Sequence, residues 1–324
     1  MGSSTLKSNQ VAYLEIATEQ AGQRIDNFLH TYLKGVPKSH IYRILRTGEV
    51  RINKGRIKPT YRLQPGDQLR LPPVMQDQPS HPPNPSTNRQ QELAKTILYE
   101  DALMLIINKP AGMAVHGGSG IHSGVIEVLR TLYPKVPHLE LVHRLDRDTS
   151  GCLMIAKRNS MLRRLHDLLR RGGIRKQYLA LVQGHWNPRF TQVVAPLRKN
   201  ILQSGERIVR VHPEGKSSTS QFNIEQSLAT TTLLRVQPLT GRTHQIRVHA
   251  AYKGHPIAGD RKYGDEEFNR QMRTDYKLKR LFLHAESINI QLPEQNYHVT
   301  VHAPLPKDLQ QVLNRLNIHH VEKL

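Results

Sequence analysis

His143-Arg144-Leu145-Asp146-Arg147-Asp148-Thr149-Ser150-Gly151 lies between two apolar runs: Leu139, Leu141 and Val142 precede it, and Leu153, Met154, Ile155 and Ala156 follow. Both runs read as strands. The titratable side chains between them cannot be core filler, because unpaired buried charge is costly. The stretch is either a solvated loop or a place where carboxylate and guanidinium groups are arranged to act. Asp146 and Asp148 are two positions apart, roughly 6.5–7 Å in extended chain, and paired carboxylates suggest glycoside hydrolysis. The turn-prone Asp-Thr-Ser-Gly run favours a different reading. One carboxylate does chemistry, while Asp148, Thr149 and Ser150 shape the loop through hydrogen bonds to backbone.

Working outward, the chain from Thr96 onward reads as one large unit. Ile97–Tyr99 and Leu103–Asn108 have the pattern of a hairpin, ended by Lys109-Pro110-Ala111-Gly112. Gly117-Gly118-Ser119-Gly120 matches no phosphate-cradling motif and reads as a hinge or backbone-contact loop before a helix ending near Leu132. Met161, Leu162, Leu165, Leu168 and Leu169 have helical spacing. Residues 157–176 carry eight Lys and Arg against one acid, so the outer side of that helix is basic. Strands are expected at 176–182, 206–211, 219–225, 230–236, 281–290 and 297–302, with helices at 243–252 and 309–316. The class is α+β, built on a large, mixed, mainly antiparallel sheet. Upstream, residues 75–93 hold Pro79, Pro82, Pro83 and Pro85 among Gln, Ser and Asn, which reads as a linker. Residues 20–74 form a separate small module with two short helices. Between 21 and 73 it carries eleven Lys and Arg against three acids.

The 324 residues suit two domains. With 47 Lys and Arg against 26 Asp and Glu, the formal charge is +21, which suits a polyanionic partner such as RNA. No apolar run approaches the ~20 residues of a membrane span, and Met1–Gln10 lacks the apolar region of a secretory signal. A single cysteine, Cys152, fits a reducing compartment. No metal is expected: His244 and His249 are five apart and do not share a helical face.

A second charged cluster is Thr240-Gly241-Arg242-Thr243-His244-Gln245-Ile246-Arg247-Val248-His249. Gly241 is expected to supply a tight turn into a helix, and Arg247 can meet either a phosphate or a carboxylate from elsewhere in the chain. Gly254-His255-Pro256-Ile257-Ala258-Gly259-Asp260 reads as a loop.

The stretch HRLDRDTSG resembles the signature of the RluA family of pseudouridine synthases. The same order of motifs continues in Asn108-Lys109-Pro110 with Gly112 and Val115-His116, in Tyr178 of KQYLALV, and in TGRTHQIRVH with GHPIAGD. The N-terminal module looks like an S4 RNA-binding domain.

The resemblance implies a small S4 (α-L) domain at 20–74, a linker at 75–93 and a catalytic domain at 94–320 on a long, bent sheet. It implies that Asp146 is the essential aspartate and that Tyr178 stacks on the target base and assists proton removal from C5. Arg247 pairs with the catalytic carboxylate, keeping it ionised by lowering its pKa, and Arg144 holds the flipped-out RNA. Lys34, Lys38, Arg43, Arg46, Arg51 and Lys54 are the expected RNA contacts of the S4 domain. The implied reaction needs no cofactor. The implied partner is 23S ribosomal RNA, free or in a large-subunit assembly intermediate, modified at several uridines near the peptidyl-transferase region by a cytoplasmic monomer. The alternatives are the same chemistry on tRNA and a non-enzymatic rRNA-binding assembly factor.

Overall fold

The computed structural model describes residues 11–33, 36–73, 86–117, 123–201, 207–292 and 297–321. The chain divides into two compact units, Met1–Asn84 and Pro85–Leu324.

In the first unit, β1 (Ala12–Glu15), β2 (Arg51–Ile52), β3 (Gly55–Arg56) and β4 (Gln68–Leu71) form a sheet of order β1-β4-β2-β3. Helices α1 (Ile25–Tyr32) and α2 (Lys38–Arg46) pack with it. Ile25, Phe28 and Leu29 on α1, and Ile41, Ile44 and Leu45 on α2, are buried together with Leu69 and Leu71 of β4. That spacing gives each helix one apolar stripe, which the sheet covers. Because β1 pairs with β4 from Ala12 to Glu15, the folded unit starts before residue 20.

The second unit opens with α3 (Thr87–Ala94), within the stretch expected as linker. Ser86 caps it by accepting from the Arg89 N–H at 3.4 Å, and Leu93 is buried in the core. The Arg89 guanidinium donates to Ser123 Oγ and O at 3.2 and 3.0 Å. Composition hid this helix because one buried leucine and one tethered arginine are enough to hold it. Residues 74–85, with all four linker prolines, lie outside the described residues.

The remaining elements are β5 (Ile97–Glu100), β6 (Met104–Lys109), α4 (Val125–Leu132), β7 (Glu140–Leu141), β8 (Ser150–Ala156), α5 (Asn159–Arg171), β9 (Ile174–Gln183), β10 (Gln192–Val194), β11 (Leu197–Ile201), β12 (Arg207–Val211), β13 (Thr219–Ser227), β14 (Thr231–Pro238), α6 (Gln245–Tyr252), α7 (Glu266–Tyr276), β15 (Leu283–Leu292), β16 (Tyr297–His302) and α8 (Lys307–Val321). Ten strands make one mixed sheet, whose main path runs β10-β13-β14-β9-β15-β8-β6-β5. Its pairs are antiparallel except β15 with β8, which run parallel over His284–Ser150 and Ala285–Gly151. β8 is buried along its whole length. Leu153 and Ile155 face one core with α4, while Cys152, Met154 and Ala156 face another with Met161 and Leu165 of α5. A strand covered on both faces must read as an unbroken apolar run, as this one does. The outer side of α5 is left to its arginines, and Gly172 ends the helix at φ 74°.

Candidate active site

The loop from His143 to Thr149 joins β7 to β8, and Lys109 fixes its shape. This lysine is fully buried, and its Nζ donates to the carbonyls of Pro110, Met113 and Arg147 at 2.8, 2.9 and 3.0 Å. Three carbonyls match the three N–H groups of an ammonium. Burial pushes its pKa down to about 7, opposed by the charges of Asp148 and Asp146. Arg147 donates from Nε to Gly112 O at 3.0 Å, and the Gly112 N–H returns to Arg147 O at 2.8 Å. Ser150 Oγ is 2.9 Å from Nδ1 of buried His284. The Asp148 carboxylate, expected to brace the loop, is exposed and has no hydrogen bond among the described residues. The buried lysine and the Arg147–Gly112 pair take that part instead.

Asp146 is thereby aimed into a cleft of about 640 Å³, lined also by Arg144, Lys176, Tyr178, His244 and Arg247. Arg247 Nη1 donates to Asp146 Oδ2 at 2.9 Å. The rest of that guanidinium is held by Asp260, through Nε to Oδ2 at 2.7 Å and Nη2 to Oδ1 at 2.8 Å. A bidentate carboxylate pair fixes the plane of an arginine, so Asp260 determines where the remaining N–H points. Burial alone would raise the pKa of Asp260. The Arg247 hydrogen bonds, joined by backbone N–H groups of Lys262 and Tyr263, more than offset this and hold it below its ordinary value. Burial likewise opposes the charge on Arg247, but its two carboxylates push it above the usual arginine range. The Tyr263 ring lies 5.0 Å from the Arg247 guanidinium carbon.

His244 is the N-cap residue before α6, with φ 54°. The left-handed residue of this turn is therefore His244, not Gly241, whose φ is not positive. Gln245 supports the turn from below: its amide nitrogen donates to Thr219 O and Ser220 Oγ, while its oxygen accepts from the Arg242 N–H and Thr240 Oγ1. His244 Nδ1 is 2.7 Å from Tyr263 Oη, and its Nε2 is 3.7 Å from Asp146 Oδ1, too long for a hydrogen bond. Burial pushes its pKa down, with Asp146 opposing.

Tyr178, on β9 between β14 and β15, is 8% exposed, and its hydroxyl has no hydrogen-bond partner among the described residues. Burial, reinforced by the charge of Asp146, pushes the phenol well above its ordinary value. Arg144 is exposed at the cleft without a hydrogen bond among the described residues. The four expected residues, Asp146, Tyr178, Arg247 and Arg144, thus share one cleft. Asp260, Lys109 and Gln245 escaped sequence reasoning as functional supports. For Asp260 the available signal was an acid in a two-glycine loop close behind a helix bearing arginine. Residues 118–120 of the glycine loop lie outside the described residues. Among the described residues, no group of three His, Cys, Asp or Glu is placed to hold a metal.

The expected RNA contacts in the first unit are unequal. Arg46 and Lys54 are exposed and unpaired among the described residues. Arg43 pairs with Glu49 at 3.1 Å, and Arg51 donates to Gly48 O at 3.0 Å. Lys38 opens α2, its side chain outside what is described, and Lys34 lies outside the described residues.

A ten-stranded mixed sheet with a carboxylate–guanidinium–carboxylate chain in its cleft, in a chain that also carries a small basic α/β unit, defines an RNA-modifying enzyme. The chain belongs to the RNA pseudouridylate synthase family, whose pattern matches residues 103–252, and an S4 domain pattern matches residues 23–69. It is 55% identical over 308 residues to the ribosomal large subunit pseudouridine synthase C of Salmonella typhi, covering 94% of this chain and 97% of that one. It is 52% identical over 310 residues to the protein of that name from Haemophilus influenzae, covering 95% and 96%. Among solved structures it is similar to human RNA pseudouridylate synthase domain containing 4, with 26% identity and a TM-score of 0.58, over 71% of this chain and 96% of that one. Among the described residues, no helix is long and apolar enough to cross a membrane.

Proposed function

We propose that this pseudouridine synthase acts on several uridines of 23S ribosomal RNA near the peptidyl-transferase region, as a cytoplasmic monomer, with Asp146 as its catalytic carboxylate. The substrate follows the names of the relatives. The assignment of Asp146 rests on one observation: it is the carboxylate of the cleft, held by a single N–H of an arginine whose other face is locked to Asp260.

The reaction breaks the N1–C1′ bond of uridine, turns the base and forms C5–C1′, and the proton on C5 is exchanged for one on N1. Reactant and product are isomers, so water and net electron transfer are not required. A fixed carboxylate beside the sugar serves this chemistry as nucleophile or as partner to positive charge at C1′. The Tyr178 ring offers the extruded base a surface to stack on. Its raised pKa keeps it a neutral phenol, which favours stacking over proton removal. Arg144 is suited to the backbone or the vacated stack, and Arg46 and Lys54 of the S4 domain to phosphates.

Asp146→Asn is expected to lower pseudouridine formation by about 10³-fold or more with RNA affinity retained, and Asp148→Asn to keep most activity. Product from Asp146→Asn at the wild-type rate would refute the assignment. Mapping pseudouridines in rRNA and tRNA of a deletion strain tests the substrate, and loss confined to tRNA would overturn it.

A further inference from the structure

Lys176 lines the cleft and has no hydrogen bond or ion pair among the described residues. It sits two positions before Tyr178 on β9, so both side chains leave the same face of the strand, about 6.5–7 Å apart along it. The β9–β14 ladder ends at Tyr178–Val236, which leaves Lys176 without a partner residue on β14. On its other edge it is opposite Ile288, an apolar neighbour. Beside it is His143, whose imidazole is pushed down partly by the lysine's charge. Burial also pushes Lys176 itself below the usual lysine value, and no neighbouring group compensates. The other arginines of the cleft except Arg144 are engaged within the protein: Arg170 with Asp167, Arg242 with Ser217 O, and Arg247 with its two carboxylates.

We infer that Lys176 is the binding site for a backbone phosphate of the target nucleotide itself, placed to anchor the extruded sugar while its base lies against Tyr178. The inference rests on the proposed reading of Tyr178 as the stacking surface. A phosphate suits the position better than a uracil carbonyl. A partly desolvated ammonium needs an anion to offset its lost hydration, and a neutral carbonyl does this only weakly. The distance also suits it. With the base on Tyr178 and its ribose at Asp146 in the same cleft, a phosphate one strand repeat away would reach Lys176. Lys176 would therefore add uniform binding and correct placement, while Asp146 acts on the bond being broken.

The test is a chemical double-mutant cycle on an rRNA fragment containing one target uridine. The phosphates 5′ and 3′ of that uridine are replaced singly by uncharged methylphosphonate. Affinity is read by fluorescence anisotropy and pseudouridine formation by single-turnover assay. Lys176→Met is expected to weaken binding about 10- to 100-fold, as for a lost hydrogen bond to a charged group. It is expected to lower the salt slope of log K by about 0.7–0.9 and to change the rate at saturation far less. Lys176→Arg should recover most of the loss. One of the two methylphosphonates should weaken the wild type to a similar degree and leave Lys176→Met unaffected. Equal sensitivity of wild type and Lys176→Met to both methylphosphonates overturns the inference. So does a Lys176→Arg enzyme as slow as Lys176→Met with a displaced pH–rate profile, which would give the lysine a proton-transfer role. A wild-type enzyme that binds the fragment but makes no pseudouridine in it would instead refute the substrate reading, while the affinity arms still decide Lys176.

Discussion

His143 illustrates how one residue of the loop limits the whole protein on the acid side. Its Nε2 accepts the Met154 N–H at 3.1 Å, which requires an unprotonated nitrogen. Burial, with the Lys176 charge beside it, pushes its pKa down to about 3. An unfolded chain takes up this proton near pH 6.5 and the native chain only near 3. Between those values the unfolded state holds more protons, so stability falls as pH falls, by at most about 1.4 kcal/mol per pH unit from this group. Urea midpoints measured from pH 6.5 to 4.5 are expected to decline less steeply for His143→Gln than for wild type. Parallel curves would show that the imidazole titrates alike in both states. At this scale Asp146 is legible in the sequence because a charged stretch between two apolar runs needs a reason, and Arg247 because it stands between Ile246 and Val248. Asp260 is not, because Gly-Asp looks like any turn. Its value lies in a contact with Arg247 that depends on α6 and the loop after it folding against each other.

Among the elements, the junction of β8 with β15 tolerates least change. Gly151 has φ +112°, and a Cβ there would lie 2.2 Å from the Ala285 carbonyl oxygen and 2.6 Å from its nitrogen. Both contacts are to backbone of the parallel partner strand, which cannot rotate away. Gly151→Ala is expected to cost about 3 kcal/mol or more, seen as a lowered urea midpoint, and to reduce activity by displacing the loop that holds Asp146. A midpoint equal to that of wild type would show that the strands separate easily. β8 and β6 are legible as unbroken apolar runs, and α5 by its leucine spacing. The helices α3 and α7 are not. α7 buries only Phe268, Met272 and Tyr276 among eleven residues, too few to stand out from a polar surface. The glycine in the HRLDRDTSG stretch is visible, but the reason for it, the backbone of residue 285, is not.

Across the whole molecule the formal charge of +21 predicts polyanion binding, but the structure divides the cations into free and committed ones. Among the described residues Arg46 and Lys54 have no partner, whereas Arg43 already answers Glu49. The Arg46→Gln, Lys54→Gln double variant is expected to lower the salt slope of rRNA binding by about 1.4–1.8, and Arg43→Gln by less. An unchanged slope in the double variant would make that face ordinary solvated surface. Strand order carries a last consequence. β15, Leu283–Leu292, lies between β8 and β9, although on the main path of the sheet it is the latest strand in the chain. β5, β6 and β8 on one side are complete by Ala156, and β9, β10, β13 and β14 on the other by Pro238. A nascent chain that has emerged as far as Asp260 therefore carries every residue of the carboxylate–guanidinium chain, yet the two halves of its sheet are not joined. The S4 unit, whose strands are complete by Leu71, is then already able to fold. Synthesis thus completes the strands of the S4 unit well before those of the catalytic sheet, and β15 is the clasp that joins that sheet's two halves.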